Sequence, residues 1–107
     1  MKKEFILCAG NHYDDGLENT HSCKNIKTGF VVCGRRHHNC ISTFAKMVGF
    51  PYDEKGLELM RTEQQGFITN NDRLVDRLEA LKIAKEANQL ITGEGNENLG
   101  LFSEDLY

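Results

Sequence analysis

The chain has no tryptophan, one proline, and no apolar run approaching the eighteen or so residues that span a bilayer. Met1-Lys2-Lys3-Glu4 is followed by only five apolar residues, too few for a signal peptide, so a cytoplasmic protein with no membrane partner is expected. Positive charge is not in excess: 13 Lys and Arg against 16 Asp and Glu give a formal charge of −3. That balance excludes a protein that coats DNA or RNA through its net field, so no extended nucleic acid is expected as a partner. Three chemistry-bearing motifs are missing as well: a phosphate-cradling glycine loop, a Gly-x-Ser-x-Gly elbow, and the His-x-Glu with Pro-Cys-x-x-Cys of zinc deaminases.

With 107 residues and 39% hydrophobic composition the chain reads as a single ligand-binding domain over residues 1–107. A core of that size is modest, which favours self-association. Phe5 to Ala9 is a short apolar run closed by Gly10-Asn11 and fits a strand. Asp14 to Gly29 is polar with turn signals at both ends, a long connection that is either a flap over a site or a surface insertion. Phe30 to Cys33 forms a second strand. A helix from Ile41 to Val48 follows, with Asn39 as its cap, Ile41, Phe44, Ala45 and Val48 on one face, and Gly49 with Pro51 as its stop.

Leu57 to Thr69 carries no clear period, but Phe67-Ile68-Thr69, Asn70-Asn71 and Arg73-Leu74-Val75 read as a hairpin with a two-residue turn. A second helix opens at Asp76, whose carboxylate and Glu79 form a capping box, and runs to about Gln89 with Ala80, Ile83, Ala84, Ala87, Leu90 and Ile91 inward. The expected fold is α+β: a small antiparallel sheet with two main helices packed on one face. Its other face would then need cover, which a homo-oligomer, dimer or higher, would supply.

Charge is unevenly distributed. Residues 19–52 hold no Asp or Glu but carry Lys24, Lys27, Arg35, Arg36 and Lys46. The last fifteen residues carry Glu94, Glu97, Glu104 and Asp105 with no basic residue, so that segment is complementary to the basic block and can touch it. Gly34-Arg35-Arg36-His37-His38-Asn39 sits where the second strand gives way to the first helix. Cations at a helix start oppose the dipole, an arrangement that makes sense when an anion is the occupant; phosphate accepts from guanidinium forks and from free helix-start N–H groups alike.

Other residues extend that reading. Phe67 is either core or a ring on which a base stacks, with Thr69, Asn70 and Asn71 supplying directional hydrogen bonds. Arg73 and Arg77 either complete a phosphate clamp or pair with Asp72 and Asp76. All four Cys and four His lie between positions 8 and 40, so zinc held by Cys33, His37, His21 and Cys23 is an alternative, although the spacings fit no established zinc pattern. Cys8, in the first strand, and Cys40, beside Phe44 and Met47, have the company of buried thiols. His37 and His38 have the titration range for acid-base work on a phosphodiester, which makes a nucleotide hydrolase the alternative to a binding role.

Val32 through Ile41, Gln65-Gly66-Phe67-Ile68-Thr69 with Arg73 to Ala80, and Leu101-Phe102-Ser103-Glu104-Asp105-Leu106-Tyr107 together resemble a group of small phage and prophage proteins. The group includes, or lies near, the Thoeris anti-defence sponges, which bind a cyclic ADP-ribose signal made by bacterial TIR enzymes. The resemblance covers roughly residues 30–107. It implies an oligomeric α+β protein of the bacterial host cytoplasm that holds a nucleotide-derived signal, a cyclic ADP-ribose isomer or a cyclic oligonucleotide, without cleaving it. Arg35 and Arg36 would lie at phosphates and Phe67 near a base. The full candidate set is Arg35, Arg36, His37, Phe67, Thr69, Asn70, Arg73 and Arg77, with no catalytic residue, no metal ligand and no cofactor; the alternatives are the His37/His38 hydrolase and a zinc-stabilised interaction module.

Overall fold

In a computed structural model of the chain, which describes residues 3–19, 22–91, 93 and 95–107, four antiparallel strands form one sheet. The strands are β1 (Ile6–Glu18), β2 (Thr28–Gly34), β3 (Gln64–Thr69) and β4 (Leu74–Val75), in the order β2-β1-β3-β4. Three helices follow the sequence: α1 (His37–Val48), α2 (Glu54–Met60) and α3 (Arg77–Glu86), with a single 3₁₀ turn at Ser103–Asp105. The α+β class and antiparallel sheet stand, but the expectation of two helices is overturned by α2. Its segment, Glu-Lys-Gly-Leu-Glu-Leu-Met, is short and carries a glycine, so it shows little helical period; Asp53 starts it by accepting from Gly56 N at 2.7 Å.

Alternation along the strands builds the core on the helical side. Ala9, Asn11 and Tyr13 of β1, Val32 of β2, Phe67 of β3 and Val75 of β4 are buried there. Cys40 and Phe44 of α1 and Ala80, Leu81, Ile83 and Ala84 of α3 meet the apolar members of that set in one cluster, with Leu59 and Met60 of α2 packed against it. Tyr13 and Phe44 stack at 3.8 Å between centroids, fixing α1 on β1.

Several boundaries move. β1 continues through Glu18 because Tyr13 pairs with Phe30 and Glu18 with Thr28 across a bulge; the Asp14 and Asp15 carboxylates accept from Gly16 N and Leu17 N inside that bulge, so local turn chemistry is present within a strand. α1 starts at His37, one turn before the expected Ile41, and Asn39 is not its cap residue: its Oδ1 accepts from Arg36 N at 3.1 Å from inside the first turn. Its buried positions are His37, Cys40 and Phe44, while Ile41 is exposed. The β3–β4 turn spans three residues, with Thr69 N donating to Arg73 O, and the positive φ falls on Asp72 rather than on the Asn pair.

The connection from β1 to β2 is not a free flap where it is described. Cys23 is buried, Lys24 N donates to Asp72 O, and Asn25 both donates to Leu74 O at 2.7 Å and accepts from Leu74 N at 2.9 Å. The strap thus reaches β4 and satisfies its outer main-chain groups. Among the described residues no helix is long and apolar enough to cross a membrane.

Candidate functional site

The starts of α1 and α3 come together over Gly66 of β3. His37, the first residue of α1, places Nε2 2.8 Å from Gly66 O, while its Nδ1 faces an Arg77 guanidinium nitrogen at 3.4 Å. Because a carbonyl accepts only and a guanidinium donates only, the ring is neutral with its proton on Nε2. Burial, opposed by the Gly66 bond and reinforced by the Arg77 charge, pushes the His37 pKa down. Arg77, the first residue of α3, also donates to Gln65 Oε1 at 2.8 Å and to Leu101 O at 2.8 Å. Burial likewise lowers the Arg77 pKa.

Across these two helix starts lies the segment from Gly100 to Tyr107. Leu101 N donates to Arg77 O, and Gly100 passes so close that a Cβ there would meet Arg77 backbone carbon at 2.5 Å, with a φ of +86° that also favours glycine. Arg36 then takes hold of the segment. Its guanidinium donates to Tyr107 O at 2.7 Å and Ser103 Oγ at 3.2 Å, and pairs with Glu104 Oε1 at 3.3 Å.

Aromatic rings complete the arrangement. The guanidinium carbons of Arg35 and Arg36 lie 5.2 and 5.6 Å from the Tyr107 ring centroid, and Tyr107 Oη donates to Arg35 O at 2.6 Å. Arg77 stands over both Phe102, at 4.7 Å, and Phe67, at 5.9 Å. Three guanidiniums therefore meet a carboxylate, two backbone carbonyls, the Gln65 amide oxygen and three rings. The corner that the sequence marked for an anion is occupied by the chain's own Glu104 and Tyr107, so the complementarity between the acidic final residues and the basic block is realised within one chain.

The remaining candidates are drawn into the fold. Phe67 is fully buried, edge-on to His37. Thr69 is buried and donates to Glu4 Oε2 at 2.7 Å. Asn70 accepts from Phe5 N and donates to Lys3 O. Arg73 grips Glu4 through two parallel bonds of 2.8 and 2.9 Å and reaches Glu79 at 2.9 Å, rather than Asp72 or Asp76. That bidentate contact holds the Glu4 carboxyl down at about 2. Thr69, Asn70 and Arg73 thus tie the segment before β1 to the β3–β4 turn and are not gathered with Arg35 and Arg36, whereas Phe67 lies beneath the corner against His37 and Arg77.

A polar chain was not visible in the sequence. Gln65 Nε2 donates to Glu63 Oε2, and Glu63 Oε1 accepts from Tyr13 Oη at 2.5 Å and from buried Asn11 Nδ2 at 3.4 Å. Together with Arg77 and His37 it forms a continuous run from the helix starts to the buried Tyr13. Burial and then the neighbouring Glu63 raise the Tyr13 pKa. The sequence carried no signal for it, because Asn11 and Gln65 become facing strand positions only through the pairing of β1 with β3.

Among the described residues no group of three or more His, Cys, Asp or Glu is placed to hold a metal. Cys23, Cys33 and His37 are thus not brought together as a zinc set, and His21 lies outside the described residues. A cleft of about 490 Å³ is lined by Asp14, Asp15, Lys55, Glu58, Leu59 and Thr62. Neither Arg35 nor Arg36 lines it.

The family model described as phage T4 y16D protein matches residues 5–107. The chain belongs to the phage T4 y16D protein family. In this y16D-family chain the matched region includes every element of the fold and the whole arginine corner, from Arg35 to Tyr107. The family description names no ligand and no reaction. No curated protein and no solved structure matches the chain.

Proposed function

We propose that this phage-family protein acts by binding: it captures a nucleotide-derived anion at the Arg35, Arg36 and Arg77 corner and holds it without cleaving it. In an infected cell's cytoplasm this lowers the free concentration of an immune signal such as a cyclic ADP-ribose isomer, an anti-defence role of the Thoeris kind. One observation carries the reading. Arg36 already holds a carboxylate while its guanidinium and that of Arg35 lie against an aromatic ring, the two chemistries that a phosphate and a base present together.

The Glu104 carboxylate is replaceable on energetic grounds. Side-chain exposures of 23% for Arg36 and 64% for Glu104 make their contact a surface ion pair, worth roughly 0–1 kcal/mol. The pyrophosphate of a cyclic ADP-ribose, with one negative charge on each of its two phosphates, competes well against a single carboxylate there. Sequestration needs nanomolar binding, on the order of −12 kcal/mol, which several charge-assisted contacts and a stacked ring can supply once the Glu104 carboxylate gives way while Leu101 stays in the core.

The His37 part of the hydrolase alternative loses support from the same geometry. Both ring nitrogens of His37 are committed, its proton is fixed by Gly66 O, and burial disfavours its charged form, so it is poorly set to shuttle a proton. The test is to incubate the protein with cyclic ADP-ribose, separate the complex by native mass spectrometry, and recover the ligand after heat denaturation. A bound ligand of unchanged mass is the expected result; a hydrolysed product would replace this reading with catalysis.

A further inference from the structure

The two edges of the sheet are treated differently. β4, at one edge, is two residues long, and the Asn25 side chain occupies both main-chain groups of Leu74 as a neighbouring strand would. β2, at the other edge, is seven residues long, Thr-Gly-Phe-Val-Val-Cys-Gly, with no charge and no proline. Among the described residues the main chain of Gly29 to Cys33 makes no hydrogen bond other than those to β1. Its outward N–H and C=O groups are open. Edge strands are ordinarily blunted by brevity, charge, proline or a covering loop, and among the described residues such a device is seen at β4 and not at β2.

We infer that the β2 edge docks a second copy of this chain, strand to strand and antiparallel, giving a continuous eight-stranded sheet across a two-fold axis. This inference does not rest on the ligand reading. An antiparallel edge is self-complementary: each outward donor meets an acceptor from the same strand of the other copy. Centred on Val32, the pairing sets Val32 against the partner's Val32, Val31 against the partner's Cys33, and Phe30 against the partner's Gly34. Those pairs keep like faces together, place both sets of helices on one side, and bring no like charges into opposition.

Seven residues extend only about 23 Å, so the contact is small and the dimer is a micromolar, concentration-dependent one. A 107-residue chain with a limited core gains from such an association.

Sedimentation of the full chain from 1 to about 500 micromolar, with hydrogen exchange at both ends of that range, tests it. The expected outcome is a monomer–dimer equilibrium in which amides of residues 30–34 slow with concentration. Cys33 is exposed, so Cys33→Lys leaves the fold intact, which circular dichroism checks, and places a charge on the edge; it should raise the dissociation constant at least tenfold. A chain that stays monomeric throughout overturns the inference, and so does a dimer whose concentration-dependent protection lies elsewhere or that Cys33→Lys leaves unchanged.

Discussion

Arg36, at the start of α1, and Glu104, in the 3₁₀ turn near the other end of the chain, meet at 3.3 Å. The pair joins two sequence regions of opposite charge and closes the segment from Leu101 to Tyr107 over the starts of two helices. Its exposure makes it a weak contact, and the segment is held as well by buried Leu101 and Ser103.

Removing the carboxylate alone should therefore cost little. Glu104→Gln is expected to lower stability by less than about 1 kcal/mol in denaturant unfolding, with the effect shrinking in high salt. A loss of several kcal/mol would mean that Glu104 is a structural anchor rather than an exchangeable occupant.

Arg36→Ala should release the segment more fully, since it removes the bonds to Tyr107 O and Ser103 Oγ as well as the ion pair. Amides of residues 102–107 are expected to exchange faster while those of β1 and β3 keep their protection. Gly100→Ala should produce the same local release by a steric route, through its collision with Arg77. Protection that survives in both variants would contradict the docking described for the segment.

Phe67 has a structural duty that a ligand role would not require. It is fully buried against His37, Ala9 and Val75, so Phe67→Ala should destabilise by about 3–5 kcal/mol. Thermal unfolding reads this directly. A stable Phe67→Ala protein with weakened ligand binding would instead return Phe67 to the base-stacking role.

Acid should weaken the fold in two stages. His37 has its pKa lowered in the folded state, so the unfolded chain binds the proton more readily; stability falls as pH drops below the ordinary value of 6.5. Glu4 is depressed from 4.5 to about 2, so the stability contributed by its Arg73 bonds is present above 4.5 and is lost as pH falls through about 2. Denaturant midpoints measured from pH 7 to 2 should show both slopes; His37→Gln should flatten the first and Glu4→Gln the second.

Much of this was legible locally. Asp76 caps α3 by accepting from Glu79 N, and Ala80, Ile83 and Ala84 form its inner face as helical spacing requires. The inward face of α1 was not legible, because two of its buried positions are His37 and Cys40, and a histidine is counted as core only once Gly66 O and Arg77 are known to satisfy it. β1 outran its apolar run because pairing with β2 and β3, and not local composition, extends it past Gly10. Charge complementarity made the contact between the basic block and the acidic final residues legible, but sequence spacing could not tell which carboxylate meets Arg36, nor that Arg73 is claimed by Glu4 across nearly the whole chain.

The central claim is that the corner prefers a nucleotide anion to its own Glu104 and Tyr107. Calorimetric titration of cyclic ADP-ribose into the wild-type chain, the Glu104→Gln/Tyr107→Ala chain and the Arg35→Ala/Arg36→Ala chain measures it most directly. The expected order is tightest binding without the internal occupant, weaker binding in the wild type, and loss of binding without the two arginines. Equal affinity in all three, or no heat in the first two while both remain folded, would contradict the account.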